Sequence, residues 1–210
     1  MVKLEPKKIG ILGGTFDPPH LAHLRVAEEV REAFGLQEVW FIPAGYPPHK
    51  KVETLSSFDH RFNMVSLAIK DNPFFKALDI EKHVKPSYTL KTLKRLNASY
   101  PEVEFFLIIG WDSFYQFETW WNYQEFLQYT NLVVVSRGLK GSEALKEAFL
   151  QKLNQLWEDD FSKERVFLLE VTPLDISSSM VRFLVKHGRS VRYLVPEEVL
   201  TYILEHQLYR

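Results

Sequence analysis

The sequence predicts an α/β fold: a doubly wound, Rossmann-like, mostly parallel six-stranded sheet with helices on both faces. Three observations carry this reading. Short apolar runs of strand length alternate with amphipathic helical patterns along the chain. The first apolar run passes through Gly13-Gly14 into a helix start, the strand–turn–helix order of a ligand-binding α/β unit. The 210 residues are 46% hydrophobic and 25% charged, enough apolar side chains for a full core.

The expected strands cover residues 8–12, 38–43, 74–80, 103–109, 132–136 and 166–171. Between them lie helical patterns over 21–34, 58–70 and 89–100, a broken stretch from 112 to 129, and a helix over 142–157. In the first helix Leu24, Ala27, Val30, Ala33 and Phe34 recur at the spacing of a core-facing stripe. Two further helices close the chain near 178–187 and 196–205. Residues 1–210 therefore read as a single domain, with 172–210 as a small helical extension packed on it.

Charge and composition narrow the function classes. A net charge of −1, from 26 basic and 27 acidic residues, gives no electrostatic ground for a nucleic acid or anionic membrane partner. The absence of cysteine excludes disulfides, thiolate zinc sites and cysteine nucleophiles. The first eight residues lack a signal-peptide apolar region, and no apolar run approaches membrane-spanning length. A cytoplasmic protein, monomeric or a small homo-oligomer, is the expectation. Aromatic residues, at 14%, are plentiful enough to pack a core or stack on a ligand.

The segment Gly13-Gly14-Thr15-Phe16-Asp17-Pro18-Pro19-His20-Leu21-Ala22-His23 is the most informative stretch. Its glycines let backbone approach a ligand. Its histidines, three apart, share one face of the first helical turn. A helix N-terminus already favours phosphate, and two imidazoles there read as added cationic donors. Either histidine alone would more often be a surface or capping residue, and Gly-Gly with Asp-Pro-Pro is also ordinary turn chemistry. Metal ligation lacks a third ligand at zinc spacing. The order of strand, glycines, turn and paired histidines favours phosphate.

A second segment, Ile176-Ser177-Ser178-Ser179-Met180-Val181-Arg182, also follows an expected strand and a turn. Serines before an apolar run are N-cap residues first. Ser178 and Arg182 nevertheless stand four apart on one helix face, and arginine pairs with phosphate oxygens in bidentate fashion.

Together, G-G-T-F-D-P-x-H-x-x-H and I-S-S-S-x-x-R resemble the nucleotidylyltransferase superfamily, and within it the bacterial nicotinate-nucleotide adenylyltransferases. Pro47-Pro48-His49-Lys50, Pro86-Ser87-Tyr88-Thr89-Leu90, Gly110-Trp111-Asp112-Ser113, Trp120 and Tyr193-Leu194-Val195-Pro196 extend the likeness over nearly the whole chain. It is weakest over 138–165. Ala22 replaces the family's usual glycine between the histidines, and Ser179 its usual threonine. Neither change removes a donor.

The resemblance implies adenylyl transfer from ATP to nicotinate mononucleotide, with Mg²⁺ carried in by ATP and no metal held by the protein. It gives His20 the α-phosphate, and His23, Ser178, Ser179 and Arg182 the β- and γ-phosphates. The backbone of Gly13, Gly14, Thr15 and Phe16, the Ile176-Ser177 segment, Lys50 and Arg137 complete the phosphate set. Trp120 and Trp121 offer aromatic faces, of which the resemblance places Trp120 against the pyridine ring; Thr89 would offer helix N-terminal amides to the nicotinate carboxylate, and Asp112 would reach ribose or adenosine-side hydroxyls. Asp17 reads as a turn-fixing residue. A related pantetheine-phosphate adenylyltransferase is the nearest rival, disfavoured by Ser87-Tyr88-Thr89 and the 110–120 segment. A nucleotide sensor without activity could lose His20 or Arg182, both of which this chain keeps. A dehydrogenase would need the G-x-G-x-x-G that is absent after the first strand.

Overall fold

The protein is described here as a computed structural model covering residues 6–47, 55–138 and 142–210. Strand β1 (Lys7–Gly14) lies mid-sheet between β2 (Glu38–Pro43) and β4 (Val103–Gly110). Outside β2 comes β3 (Phe75–Ala77), and outside β4 come β5 (Asn131–Ser136) and β6 (Val166–Glu170). The order is β3-β2-β1-β4-β5-β6 and every pairing is parallel. From β1 the chain winds outward through β2 and β3, then returns to start β4 on the other side. A crevice opens at the carboxyl ends of β1 and β4, where the winding reverses.

Helices α1 (Leu21–Phe34) and α2 (Phe58–Ile69) cover one face, with Val26, Ala27, Val30, Val65 and Ile69 packed on Leu12, Phe41, Phe106 and Val133. The other face carries α3 (Thr89–Ser99), α4 (Trp111–Tyr115) and α5 (Glu143–Leu156), whose Leu90, Leu93, Phe114, Phe149 and Leu153 pack on Ile9, Ile11, Leu107 and Val134. The β1 side chains alternate between these cores, as the two-residue period of a strand requires. After the short α6 (Asp160–Lys163) and β6, α7 (Ser178–Lys186) and α8 (Glu197–Glu205) form a third apolar cluster. Val181, Val191, Val199 and Ile203 pack there with Ala22 of α1 and Met64 of α2.

Four differences from the sequence reading have local causes. Ala33 is exposed and Val26 takes a place in the buried stripe of α1. The larger Phe34 ring covers the sheet there, 5.6 Å from Phe106 and 5.2 Å from Phe167. β3 pairs over three residues only, because Lys82 N–H bonds the Asp79 carbonyl and turns the chain off the sheet edge. The broken stretch after β4 resolves into α4 and two 3₁₀ turns, Phe117–Thr119 and Tyr123–Gln128. The four-residue α6 is too short to leave a period in the sequence.

Candidate active site

β1 runs two residues further than expected, so Gly13 and Gly14 end the strand opposite Ile42 and Pro43. Immediately after it, Phe16 takes φ +51°, a left-handed conformation that costs a residue with a Cβ ~1–2 kcal/mol. The buried Phe16 ring holds it there. It lies beneath Gly14, 5.9 Å from Phe41 and edge-on to His23 at 5.1 Å.

His20 occupies the N-cap position of α1 and is 5% exposed. Its backbone N–H donates to His23 Nδ1 at 3.2 Å, which leaves the His23 proton on Nε2 in the neutral ring. The two imidazoles stack at 3.6 Å with 22° between planes. His20 Nδ1 is buried with no hydrogen-bond partner among the described residues. Burial, and then the Arg137 guanidinium, hold the His20 imidazole down to about 4. Burial, His20 and Arg137 push His23 the same way. The reading of two cationic donors is therefore corrected: before an anion arrives, both rings are neutral at pH 7, because a charged imidazole would lose water and face another positive group.

The start of α7 is docked against this turn. Ser177 caps the helix, its Oγ accepting from Met180 N–H at 3.1 Å. Ser178 Oγ donates to the Pro18 carbonyl at 2.8 Å, and Arg182 Nη1 to the Asp17 carbonyl at 2.6 Å. The shared face inferred from their spacing is thus turned onto the successive carbonyls of Asp17 and Pro18. Arg182 Nη2 also donates to Ser179 Oγ at 3.3 Å, and Arg137 Nη1 to the carbonyls of Leu174 and Ile176 at 3.2 and 3.4 Å. The Ala22 methyl, the departure inside the histidine motif, is buried in the third apolar cluster.

A cavity of about 810 Å³ fills the crevice. Gly13, Gly14, Thr15, His20, His23, Arg137, Ile176, Ser177, Ser178, Ser179 and Arg182 line it, together with Thr89, Trp120 and Trp121. Thr89 is the first residue of α3. Trp120 leans on the core at 5.2 Å from Phe117 and 5.7 Å from Phe126. Trp121, 39% exposed, stacks on Tyr88 at 5.2 Å, with Lys91 Nζ 5.3 Å from both rings. Two expected residues are not in the wall. Phe16 lies underneath it, and Asp112 is exposed while its neighbours Gly110 and Ser113 line the space. Lys50 lies outside the described residues.

The wall also contains Glu81, Ser87, Tyr88 and Thr92, to which the sequence reading gave no site role. Burial pushes the Glu81 carboxyl above the usual carboxylate range, and Thr92 Oγ1 donates to it at 2.5 Å. Tyr88 was detectable as an aromatic residue just before a helix start. Glu81 carried no signal, lying in a stretch whose period changes from strand to turn. Among the described residues no group of three His, Cys, Asp or Glu side chains is placed to hold a metal ion. The donors gathered here, amides, hydroxyls, imidazoles and guanidinium groups, suit phosphate oxygens instead.

Cytidylyltransferase-like proteins match the chain over residues 11–183. A curated relative from Geotalea daltonii, named probable nicotinate-nucleotide adenylyltransferase, is 44% identical over 96% of this chain and 98% of its own. One of the same name from Lachnoclostridium phytofermentans is 39% identical over 97% and 99%. The chain belongs to the nicotinate-nucleotide adenylyltransferase family. Its fold is shared with the Plasmodium falciparum nicotinic acid mononucleotide adenylyltransferase solved with NaAD, at a TM-score of 0.77 and 22% identity over 97% of both chains. In this family member no helix among the described residues is long and apolar enough to cross a membrane.

Proposed function

We propose that this adenylyltransferase transfers the adenylyl group of ATP to the 5′-phosphate of nicotinate mononucleotide, forming nicotinate adenine dinucleotide and pyrophosphate. One observation carries the reading: a single cavity has the stacked histidines and the α7 start on one wall, and Thr89, Trp120 and Trp121 on another. That is a polyanion site joined to a flat-ring site.

The attacking group is a phosphate oxygen of the mononucleotide, already anionic, so no general base is needed. A new P–O bond forms at the α-phosphorus as the bond to the β-phosphate breaks and pyrophosphate leaves with its electron pair. The protein's work is alignment and stabilisation of charge. His20 donates to the α-phosphate, and its partnerless buried Nδ1 is consistent with a ring held ready for a ligand. An entering polyanion favours the charged imidazole, so the neutral pair becomes a better donor as the nucleotide arrives. His23, Ser178, Ser179 and Arg182 hold the β- and γ-phosphates. Mg²⁺ enters as part of the nucleotide substrate. Trp120 and Trp121 stack on the pyridine, and the α3 N-terminus offers its amides to the nicotinate carboxylate.

The test is pyrophosphate release by purified protein with MgATP and a panel of acceptors. Turnover is expected with nicotinate mononucleotide, and more slowly with nicotinamide mononucleotide. Turnover of phosphopantetheine in place of both would overturn the acceptor assignment while sparing adenylyl transfer.

A further inference from the structure

α2 carries an arginine that the reaction does not use. Arg61 is 2% exposed, yet it occupies the buried face of the helix, three and four residues before Met64 and Val65. Its guanidinium is spent wholly on backbone carbonyls: Nη1 donates to Thr15 at 2.8 Å, Nε to Ser56 at 3.1 Å and Nη2 to Gly45 at 3.4 Å. The Gly45 peptide lies so close to the chain at Glu81 that a Cβ would collide with the Glu81 carbonyl, so only glycine presents its carbonyl there. Asp17, 1% exposed, is the neighbouring carboxylate. Its Oδ2 accepts from Ser56 N–H at 3.2 Å and its Oδ1 from the Tyr209 hydroxyl at 2.7 Å. Ser56 is thus gripped at both ends, by Asp17 on its N–H and by Arg61 on its carbonyl. The same Asp17 receives Arg182 on its own carbonyl.

We propose that the buried Arg61 and Asp17, with the half-buried Tyr209, form a positioning network that sets the place of His20 in the active site. The route is short. Arg61 fixes the carbonyl of Thr15 on one side of the left-handed Phe16, and Tyr209 fixes the Asp17 carboxylate on the other. His20 follows Asp17 through Pro18-Pro19 alone, and prolines, with φ locked, pass a displacement on rather than absorb it. Burial depresses the Arg61 guanidinium and Asp17 supports it, as expected of a cation kept for its carbonyl bonds. The sequence signal, an arginine on an otherwise apolar helix face, marks the position without showing its partners.

The proposal rests on the catalytic reading of His20, and a double-mutant cycle separates the two. Tyr209→Phe removes one hydroxyl and keeps the ring. It is expected to lower kcat ~10-fold while the KM for ATP changes less than ~3-fold, since a misplaced reacting group costs rate before binding. In a His20→Ala background the same change is expected to cost less than ~2-fold, because the group it positions is gone. Arg61→Lys keeps the charge but not the three-pronged donor set, and is expected to lower kcat more than Tyr209→Phe; if it fails to fold, the Tyr209 cycle decides alone. A parental kcat in Tyr209→Phe, or an equal cost with and without His20, overturns the proposal and marks a purely structural contact. A silent His20→Ala, visible in that single variant, overturns the catalytic reading and the route built on it.

Discussion

The wall that holds His20 and His23 is made mostly by chain neighbours: β1, its turn and the first turn of α1 supply the glycines, the cap and both rings within one continuous segment. The wall that holds Tyr88, Trp120 and Trp121 is assembled otherwise. Tyr88 precedes α3, while the tryptophans stand between two 3₁₀ turns after β4: packing on Phe117 and Phe126 holds Trp120, and stacking on Tyr88 holds Trp121. The first wall is therefore polar and largely buried, its imidazoles tuned by that burial and then by Arg137. The second is aromatic, partly exposed and dependent on the core beneath it. A phosphate-transfer site needs fixed donors, for which local geometry suffices. A ring-stacking site needs area, for which a core must be borrowed.

That contrast can be broken experimentally, and the largest effect is expected beneath the aromatic wall. Phe117 is fully buried with rings of Trp120, Phe126 and Trp157 around it at 5.2, 5.0 and 5.7 Å. Phe117→Ala is expected to destabilise the protein by ~3–5 kcal/mol, read in a urea melt, and to weaken acceptor binding along with it. Retained stability would show that the aromatic wall does not lean on the core as described.

On the histidine wall, His20→Ala is expected to lower kcat ~10²–10³-fold with a smaller change in dinucleotide affinity, the pattern of a lost transition-state donor. The wall's electrostatics supply the next effect. His20 has an ordinary value of 6.5 and is held at about 4 in the fold, so the unfolded chain takes up this proton first as pH falls. Stability is full above pH 6.5 and declines between 6.5 and 4, by ~3 kcal/mol for this group, with His23 acting in the same direction. Urea midpoints at pH 7 and 4.5 check it, and His20→Ala should flatten the difference. The smallest effect belongs to the exposed ring: Trp121→Ala is expected to raise the KM for the mononucleotide ~3–10-fold with kcat and melting temperature little changed. A large loss of stability there would erase the distinction between the two walls.

Much of the fold was legible because its periods are clean. α1 is observed over the residues expected, Leu21–Phe34, and β2 over Glu38–Pro43. The departures lie where a tertiary partner outweighs a local preference, as at Ala33 beside Phe34, or where the chain turns off a sheet edge, as after Ala77. In the candidate site, His20, His23, Ser178, Ser179 and Arg182 reach the cavity because each motif begins a helix at the carboxyl end of the sheet. Asp112 does not line it, since adjacency in sequence does not say which way a side chain leaves the first turn of a helix, and Phe16, whose backbone was expected in the cradle, lies outside the wall in its left-handed conformation. Glu81 and Arg61 went unread for the opposite reason: their partners, Thr92 and the carbonyls of Thr15, Gly45 and Ser56, are mostly distant in the chain.

By itself the sequence determined the doubly wound sheet and the two motif segments, because periodicity and helix-start chemistry are local properties, and the family followed from what those motifs resemble. Tertiary structure alone decided that the histidines are stacked and pushed below the usual imidazole range, that Ser178 and Arg182 grip the carbonyls of Pro18 and Asp17, and that Tyr209 reaches the carboxylate beside His20's turn. Charge state, hydrogen-bond partner and position relative to a distant helix all depend on what burial brings into contact. Burial is a property of the packed chain, not of any segment within it.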